Sequence, residues 1–236
     1  MIASVLSDFG DALEFIFTSK ESRAGGSQIG GSQVLELLWD HVSLSAVALL
    51  AGVLVAVPIG VWLGHTKRGT FLAVGIANIG RAVPSIALIA FFFAYLGAGF
   101  SNIALALALL AIPPILANAY VGIRQVEPEA VDAARGMGMT GLQIVRHVEL
   151  PLALPLVLGG IRTSAVNVVA TATIAPLAGV SSLGDPIIDY GSYGDAGRLG
   201  ASIVVAALAV ATELTFGLVQ RLADPLPSRR RRTVLV

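Results

Sequence analysis

Gly136, Gly138 and Gly141 spell Gly-x-Gly-x-x-Gly, a spacing that lets backbone amides approach the pyrophosphate of a dinucleotide. That chemistry needs a strand before the glycines and a helix after them. Here a helix-forming run, Asp132-Ala133-Ala134, precedes them and long apolar segments lie on both sides, so nucleotide binding is rejected. Other reactive groups are sparse. The chain has no cysteine, which excludes disulfides, thiolate metal sites and a thiol nucleophile. His41, His65 and His147 are scattered, with no paired spacing suited to a metal. Neither His-Glu-x-x-His nor Gly-x-Ser-x-Gly occurs, and the Gly-x-x-x-x-Gly-Lys-[Ser/Thr] phosphate loop is missing. No catalytic centre, metal or cofactor is expected, and the chain is not expected to be an enzyme.

The polar residues that stand out do so because their surroundings are apolar. Arg81 is the one formal charge between Phe71 and Ile123, and an ionisable residue inside an apolar span suggests a place on a transport pathway. The competing reading is a snorkelling or structurally paired arginine. Glu213, in the last apolar run, is a candidate partner for Arg81. Thr163, Asn167 and Thr171 recur every four residues, which suits either a pathway lining or packing between helices. Asp185, Asp189, Tyr190, Tyr193 and Asp195 fall on a connection, as a gate, a docking surface or a solvated loop.

These residues need membrane spans to position them. Hydrophobic residues make up 56% of the 236 residues and charged residues 13%, with a mean hydropathy of +0.83, which excludes an ordinary soluble domain. A net charge of zero leaves no global field for nucleic acid. About five spans of roughly membrane length are predicted, at 42–64, 71–96, 103–120, 152–177 and 199–219. Gly60 and Gly64 mark a candidate helix contact, and Pro84, Pro113 and Pro114 candidate kinks. Residues 1–40 read as a surface amphipathic segment followed by a flexible linker at 25–32, and Asp8, Asp11 and Glu14 argue against a cleaved leader. Residues 41–221 read as the transmembrane domain and 222–236 as a basic tail. Lys67, Arg68, Arg124, Arg135, Arg146, Arg221 and Arg229–Arg232 fall on one side of this arrangement, which the positive-inside rule makes cytoplasmic. The N-terminus is then outside and the C-terminus inside, in a multi-pass cell (inner) membrane protein.

The longest charged run, Glu129 to Pro151, reads as a helix, a glycine turn and a second helix. Asp132-Ala133-Ala134 is followed at fixed spacing by Gly138, Val148 and Leu150-Pro151. This resembles the EAA signature (Glu-Ala-Ala, x3, Gly, x9, aliphatic, x, Leu-Pro) of permease subunits from binding-protein-dependent ABC importers, with Asp132 in place of the usual Glu. Val57-Pro58-Ile59-Gly60, Ala82-Val83-Pro84-Ser85-Ile86-Ala87, Arg135-Gly136-Met137-Gly138-Met139-Thr140 and Gly160-Ile161-Arg162-Thr163-Ser164 are similar to the branch serving quaternary-amine osmoprotectants. Ser181 and Ser182 depart from the paired glycines frequent in that branch.

The resemblance implies an all-α polytopic chain of the type I ABC importer (methionine-permease-like) fold. It implies a cytoplasmic ABC ATPase dimer, a second permease subunit of the same or another kind, and an extracytoplasmic substrate-binding protein. ATP hydrolysis then belongs to the partner. The loop 124–151 becomes the coupling element, with Asp132, Ala133, Ala134, Gly136, Gly138, Met139 and Gly141 at the ATPase and Met137 on the docking face. Glycine betaine, choline or carnitine are the implied substrates. Arg81-x-x-Pro84 also resembles methionine-type permeases, which makes an amino-acid importer the alternative. An ion-coupled secondary transporter would need a midplane ion site, commonly in inverted halves, and few buried acids and no repeat are evident.

Overall fold

The computed structural model describes residues 2–67, 75, 80 and 82–224. They form helices Ile2–Phe17 (α1), Ser32–His65 (α2), Ser85–Leu96 (α3), Phe100–Arg124 (α4), Pro128–Gly136 (α5), Gly141–Ile144 (α6), Leu150–Thr171 (α7), Asp185–Ile188 (α8) and Tyr190–Leu222 (α9). Short strands Ser19–Glu21 (β1) and Gln28–Gly30 (β2) pair antiparallel between α1 and α2. A π-helical turn, Val145–Glu149, joins α6 to α7, and 3-10 turns over Ala172–Ala178 follow α7.

Among the described residues four stretches are long and apolar enough to cross a membrane: Ser32–His65, Phe100–Arg124, Gly141–Ala178 and Tyr190–Leu222. The shorter apolar α3 is the described end of the span expected at 71–96, most of whose first half lies outside the described residues. The helices overrun the predicted spans. At 34 residues, α2 is about 51 Å long, well beyond the ~30 Å of hydrocarbon that hydropathy detects. Glu36 and Asp40 end the apolar run in the sequence, but Val34 and Leu37 bury against Phe15, Ile29 and Leu183 and carry the helix on.

The chain divides into two compact units. The first comprises residues 1–51, 83–111 and 165–212. In it α1 buries Ala12 and Phe15, which meet α9 at Gly197 and Gly200. Its exposed stripe of Phe9, Leu13 and Phe17 lies beside exposed Asp8 and Asp11, the amphipathic pattern expected of a surface helix. Residues 25–32, expected as a flexible linker, instead belong largely to a β-hairpin and its turn. Ser19 pairs with Gly30 and Glu21 with Gln28. The backbone N–H of Gly31 donates to Phe15 (3.0 Å), and that of Arg23 to Ser192 (3.1 Å). These long-range bonds convert a glycine-rich composition into fixed structure.

The second unit comprises residues 52–82, 112–164 and 213–236. Val61, Ala119, Ile123, Ala153 and Val157 form its core. The Gly60-x-x-x-Gly64 pair is where α2 and α4 approach. A Cβ at Gly60 would lie 2.7 Å from the Ala119 Cβ and 2.8 Å from the Leu116 carbonyl oxygen. One at Gly64 would lie 2.7 Å from the Ile123 Cβ. Overpacking of this kind costs about 1–3 kcal/mol, and here a backbone atom blocks relaxation. Gly60→Leu is therefore expected to lower the yield of monodisperse chain in detergent. Gly136→Ala, where an added Cβ meets nothing, should not.

Candidate functional site

The loop between α4 and α7 is built from residue types that stop and restart a helix. Pro128 at the first turn of α5 has the φ a helix start requires and no N–H to satisfy. Glu129 in that turn and Arg135 in the last complement the helix dipole. Gly138 ends α5 at φ +83. Its N–H donates to Arg135 (3.0 Å) and that of Met139 to Ala134 (3.2 Å), the paired bonds of a Schellman cap. Thr140 then starts α6 through a capping box. Its N–H donates to the Gln143 side-chain oxygen at 2.7 Å, and its hydroxyl accepts from the Gln143 N–H at 3.4 Å.

The glycines of the decoy motif thus have separate roles. Gly136 is the last residue of α5, Gly138 makes the left-handed turn, and Gly141 is the first residue of α6. The first helix of this stretch runs from Pro128 to Gly136. Ala133 and Met137 are exposed, Met137 at 75%, and Met139 is half-buried. Ala134 is turned inward and buried. Asp132 pairs with Arg135 at 3.3 Å, a solvent-exposed contact of small energetic weight. Leu142, 79% exposed, is an apolar side chain beyond the turn. Met137 and Leu142 leave apolar surface bare on both sides of a rigid turn.

Two ion pairs emerge that sequence spacing did not reveal. In the second unit Arg162 of α7 contacts Glu213 of α9 through Nη2 and Oε1. Arg162 Nη1 also donates to Gln220 Oε1 (3.3 Å), and Gln220 Nε2 donates to the Pro155 carbonyl (2.8 Å). Among the described residues Glu213 is thus paired with Arg162. Arg81, with which it was matched by depth alone, lies outside the described residues. The second pair joins His65 Nδ1 to Glu149 Oε2 at 2.7 Å. No local pattern signals contacts across 51 and 84 residues.

The remaining sequence candidates fall elsewhere. Asn167 is exposed, and the hydroxyl of half-buried Thr171 donates to its carbonyl (2.7 Å), back along the same helix. Thr163 likewise donates to Gly159 (3.0 Å). His41 is buried, with Nε2 donating to the Val169 carbonyl (2.9 Å). Among the described residues no cluster could hold a metal ion.

The 185–195 connection is a hydrogen-bonded structure. Asp185 accepts from the Ser182 N–H (2.7 Å), and burial pushes its carboxyl above the usual range. Hydrogen bonds from the Ser192 hydroxyl and N–H hold Asp189 below that range. Tyr190 lies under the guanidinium groups of Arg23 and Arg198, at 5.8 and 4.9 Å from the ring centre. Gln33 donates to the Tyr193 hydroxyl (2.9 Å). Ser182, where paired glycines were frequent in the resembling branch, donates to the Ala172 carbonyl (3.0 Å) and accepts from the Gly184 N–H (3.0 Å).

Long apolar helices joined by a capped, exposed loop describe a polytopic membrane protein. Residues 46–229 match the family described as "Binding-protein-dependent transport system inner membrane component", and the chain belongs to it. It is 38% identical to the choline transport system permease protein OpuBB of Bacillus subtilis, over 86% of this chain and 94% of that one. It is 36% identical to the glycine betaine/carnitine/choline transport system permease protein OpuCB of the same organism, over 84% and 92%. Identity to the carnitine transport permease protein OpuCD of Listeria monocytogenes is 34%, over 86% and 92%. The fold is that of type I ABC importer permeases. A chain of the inward-facing MetNI methionine ABC transporter superposes with a TM-score of 0.71 at 24% identity, covering 80% of this chain and 95% of that one. A chain of an amino acid ABC transporter with histidines does so at 0.61 and 21%, covering 82% and 93%.

Proposed function

We propose that this chain is the permease subunit of an ATP-driven importer of quaternary-amine osmoprotectants such as choline, glycine betaine or carnitine. The observation that carries the reading is that three relatives named for these substrates match at 34–38% identity over most of both chains. The likeness to methionine and amino acid transporters is below 25% identity and supports the fold alone. An ion-coupled transporter gains no support from membership of a binding-protein-dependent family.

In this reading residues 41–221 form the permease domain, residues 1–40 an extracytoplasmic segment and 222–236 a basic cytoplasmic tail. Positive charge at Lys67, Arg124, Arg135, Arg146 and Arg221 supports a cytoplasmic loop 124–151 and C-terminus, with the N-terminus outside. The loop docks on a cytoplasmic ABC ATPase dimer, which hydrolyses ATP. A second permease subunit and an extracytoplasmic binding protein complete the transporter. Asp132, Ala133, Gly136, Gly138, Met139 and Gly141 shape the docking element, with Ala134 as its inward support. A rigid turn flanked by bare Met137 and Leu142 suits helix-in-groove docking. Arg81, Asn167 and Thr171 are assigned to the substrate pathway, and the binding protein supplies most selectivity.

The test is to purify the tagged chain from native membranes and identify what accompanies it. An ATPase and a binding protein that takes up choline, glycine betaine or carnitine support the proposal. A chain that purifies alone and transports without ATP overturns it. Met137→Glu with Leu142→Glu is expected to reduce ATPase recovery by about tenfold while the chain still inserts, because two charges replace the apolar contact. Undiminished recovery would remove these residues from the interface.

A further inference from the structure

Glu149 is the one buried carboxylate among the described residues. Its side chain is 7% exposed, and His65 Nδ1 lies 2.7 Å from Oε2. Burying a carboxylate is unfavourable unless a donor compensates it, so the pair is a demanding feature to place at this position. It adds a polar contact between two elements that also meet in the apolar core of the second unit, where Val57 and Val61 pack with Val145 and Ala153. His65 is the last residue of α2, and Glu149 ends the π-helical turn leading into α7. Such turns insert one residue into a helix and are frequent at functional sites. The other ring nitrogen of His65 faces the loop as well, since a Cβ on Gly141 would lie 3.3 Å from Nε2. The imidazole is therefore held between Gly141, at the start of α6, and Glu149, at the end of the π-turn. Through the Thr140 capping box, α6 is fixed to the turn that carries Gly138 and Met137.

We infer that His65 and Glu149 are positioning residues that tie the coupling loop to the end of α2, so that displacement of the loop displaces α2 with it. This inference rests on the coupling role proposed for the loop and adds the route by which its movement enters a span. Without the tie only the apolar packing of Val57 and Val61 links α2 to this segment, and the loop follows the ATPase with α2 lagging behind. ATP is then hydrolysed with little substrate moved.

The experiment uses the complete transporter, purified through a tag on this chain and reconstituted in vesicles with its binding protein. The readout is radiolabelled choline, glycine betaine or carnitine taken up per ATP hydrolysed. Glu149→Gln, which keeps the size of the side chain, is expected to lower that ratio about five- to tenfold with ATP hydrolysis within about twofold of the wild type. His65→Ala, which removes the contact, should lower it at least as far as Glu149→Gln, which exchanges the carboxylate for a weaker neutral acceptor, and His65→Ala with Glu149→Gln should lower it no further than His65→Ala alone, because both changes act on one contact. A merely structural pair would lower uptake and hydrolysis together and leave the ratio unchanged, which overturns the inference. Losses that multiply in the double variant also overturn it. If His65→Ala fails to assemble, the ratio for Glu149→Gln decides. Gly138→Trp in the same vesicles separates the two levels. If it uncouples and Glu149→Gln does not, only the tie fails. If neither uncouples, the coupling role of the loop fails too.

Discussion

Gly138→Trp is expected to leave the chain inserted in the membrane and to cut ATP-driven uptake to about a tenth or less of the wild-type rate. The residue sits at φ +83, where an L side chain is disfavoured by about 1–2 kcal/mol. A Cβ there would meet no atom within 4 Å, so loss of packing is not the cause. The effect comes from the Schellman cap. If φ moves to an ordinary value, the bonds from Gly138 to Arg135 and from Met139 to Ala134 are lost, and α5 no longer meets α6 at its present angle. Met137 and Leu142 then cease to form the one surface proposed to dock on the ATPase. A substitution series separates backbone strain from bulk. Asn tolerates the left-handed region and should keep more uptake than β-branched Val at this position. Equal uptake by the Asn, Val and Trp variants, at the wild-type rate, would count against the turn as part of the coupling element.

Breaking the Arg162–Glu213 pair is the second large effect. Arg162→Ala or Glu213→Ala leaves one charge without its counter-ion inside helices that meet the length and hydropathy of membrane spans. Each single change is expected to lower the amount of chain in the membrane several-fold and to lower its thermal unfolding temperature in detergent. Replacing both, as Arg162→Met with Glu213→Leu, should be milder than either alone, because no orphan charge remains. Glu213, Gly217 and Gln220 lie at helical spacing on α9, and all three approach Arg162. Gln220 therefore serves as a secondary partner, and Gln220→Leu should have a smaller effect than Glu213→Ala. Quantitative immunoblotting of membranes and a detergent melting curve check the series. Losses that simply add in the double variant would show that the two residues act independently.

Much of the architecture was legible in the amino-acid order because a membrane imposes strong one-dimensional constraints. Uninterrupted apolar runs must become helices in hydrocarbon, so spans at 103–120, 152–177 and 199–219 could be read directly, the first and last each inside a longer helix and the middle one across α7 and the 3-10 turns that follow it. The Asp132–Pro151 signature lies in one continuous segment, and its turn follows from local chemistry: Pro128, Gly138 and Thr140 act on the backbone within a few residues. Tertiary structure decided what depends on distant partners. The glycine-rich stretch at 25–32 has the composition of a linker and becomes ordered only because Phe15 and Ser192 accept its backbone hydrogen bonds or those of its neighbours. Ala134 and Leu142 look alike as apolar loop residues, and only packing turns one inward and leaves the other bare. The pairs Arg162–Glu213 and His65–Glu149 join residues 51 and 84 positions apart. Residue type limits which groups can compensate a charge away from water, but helix packing selects which ones meet.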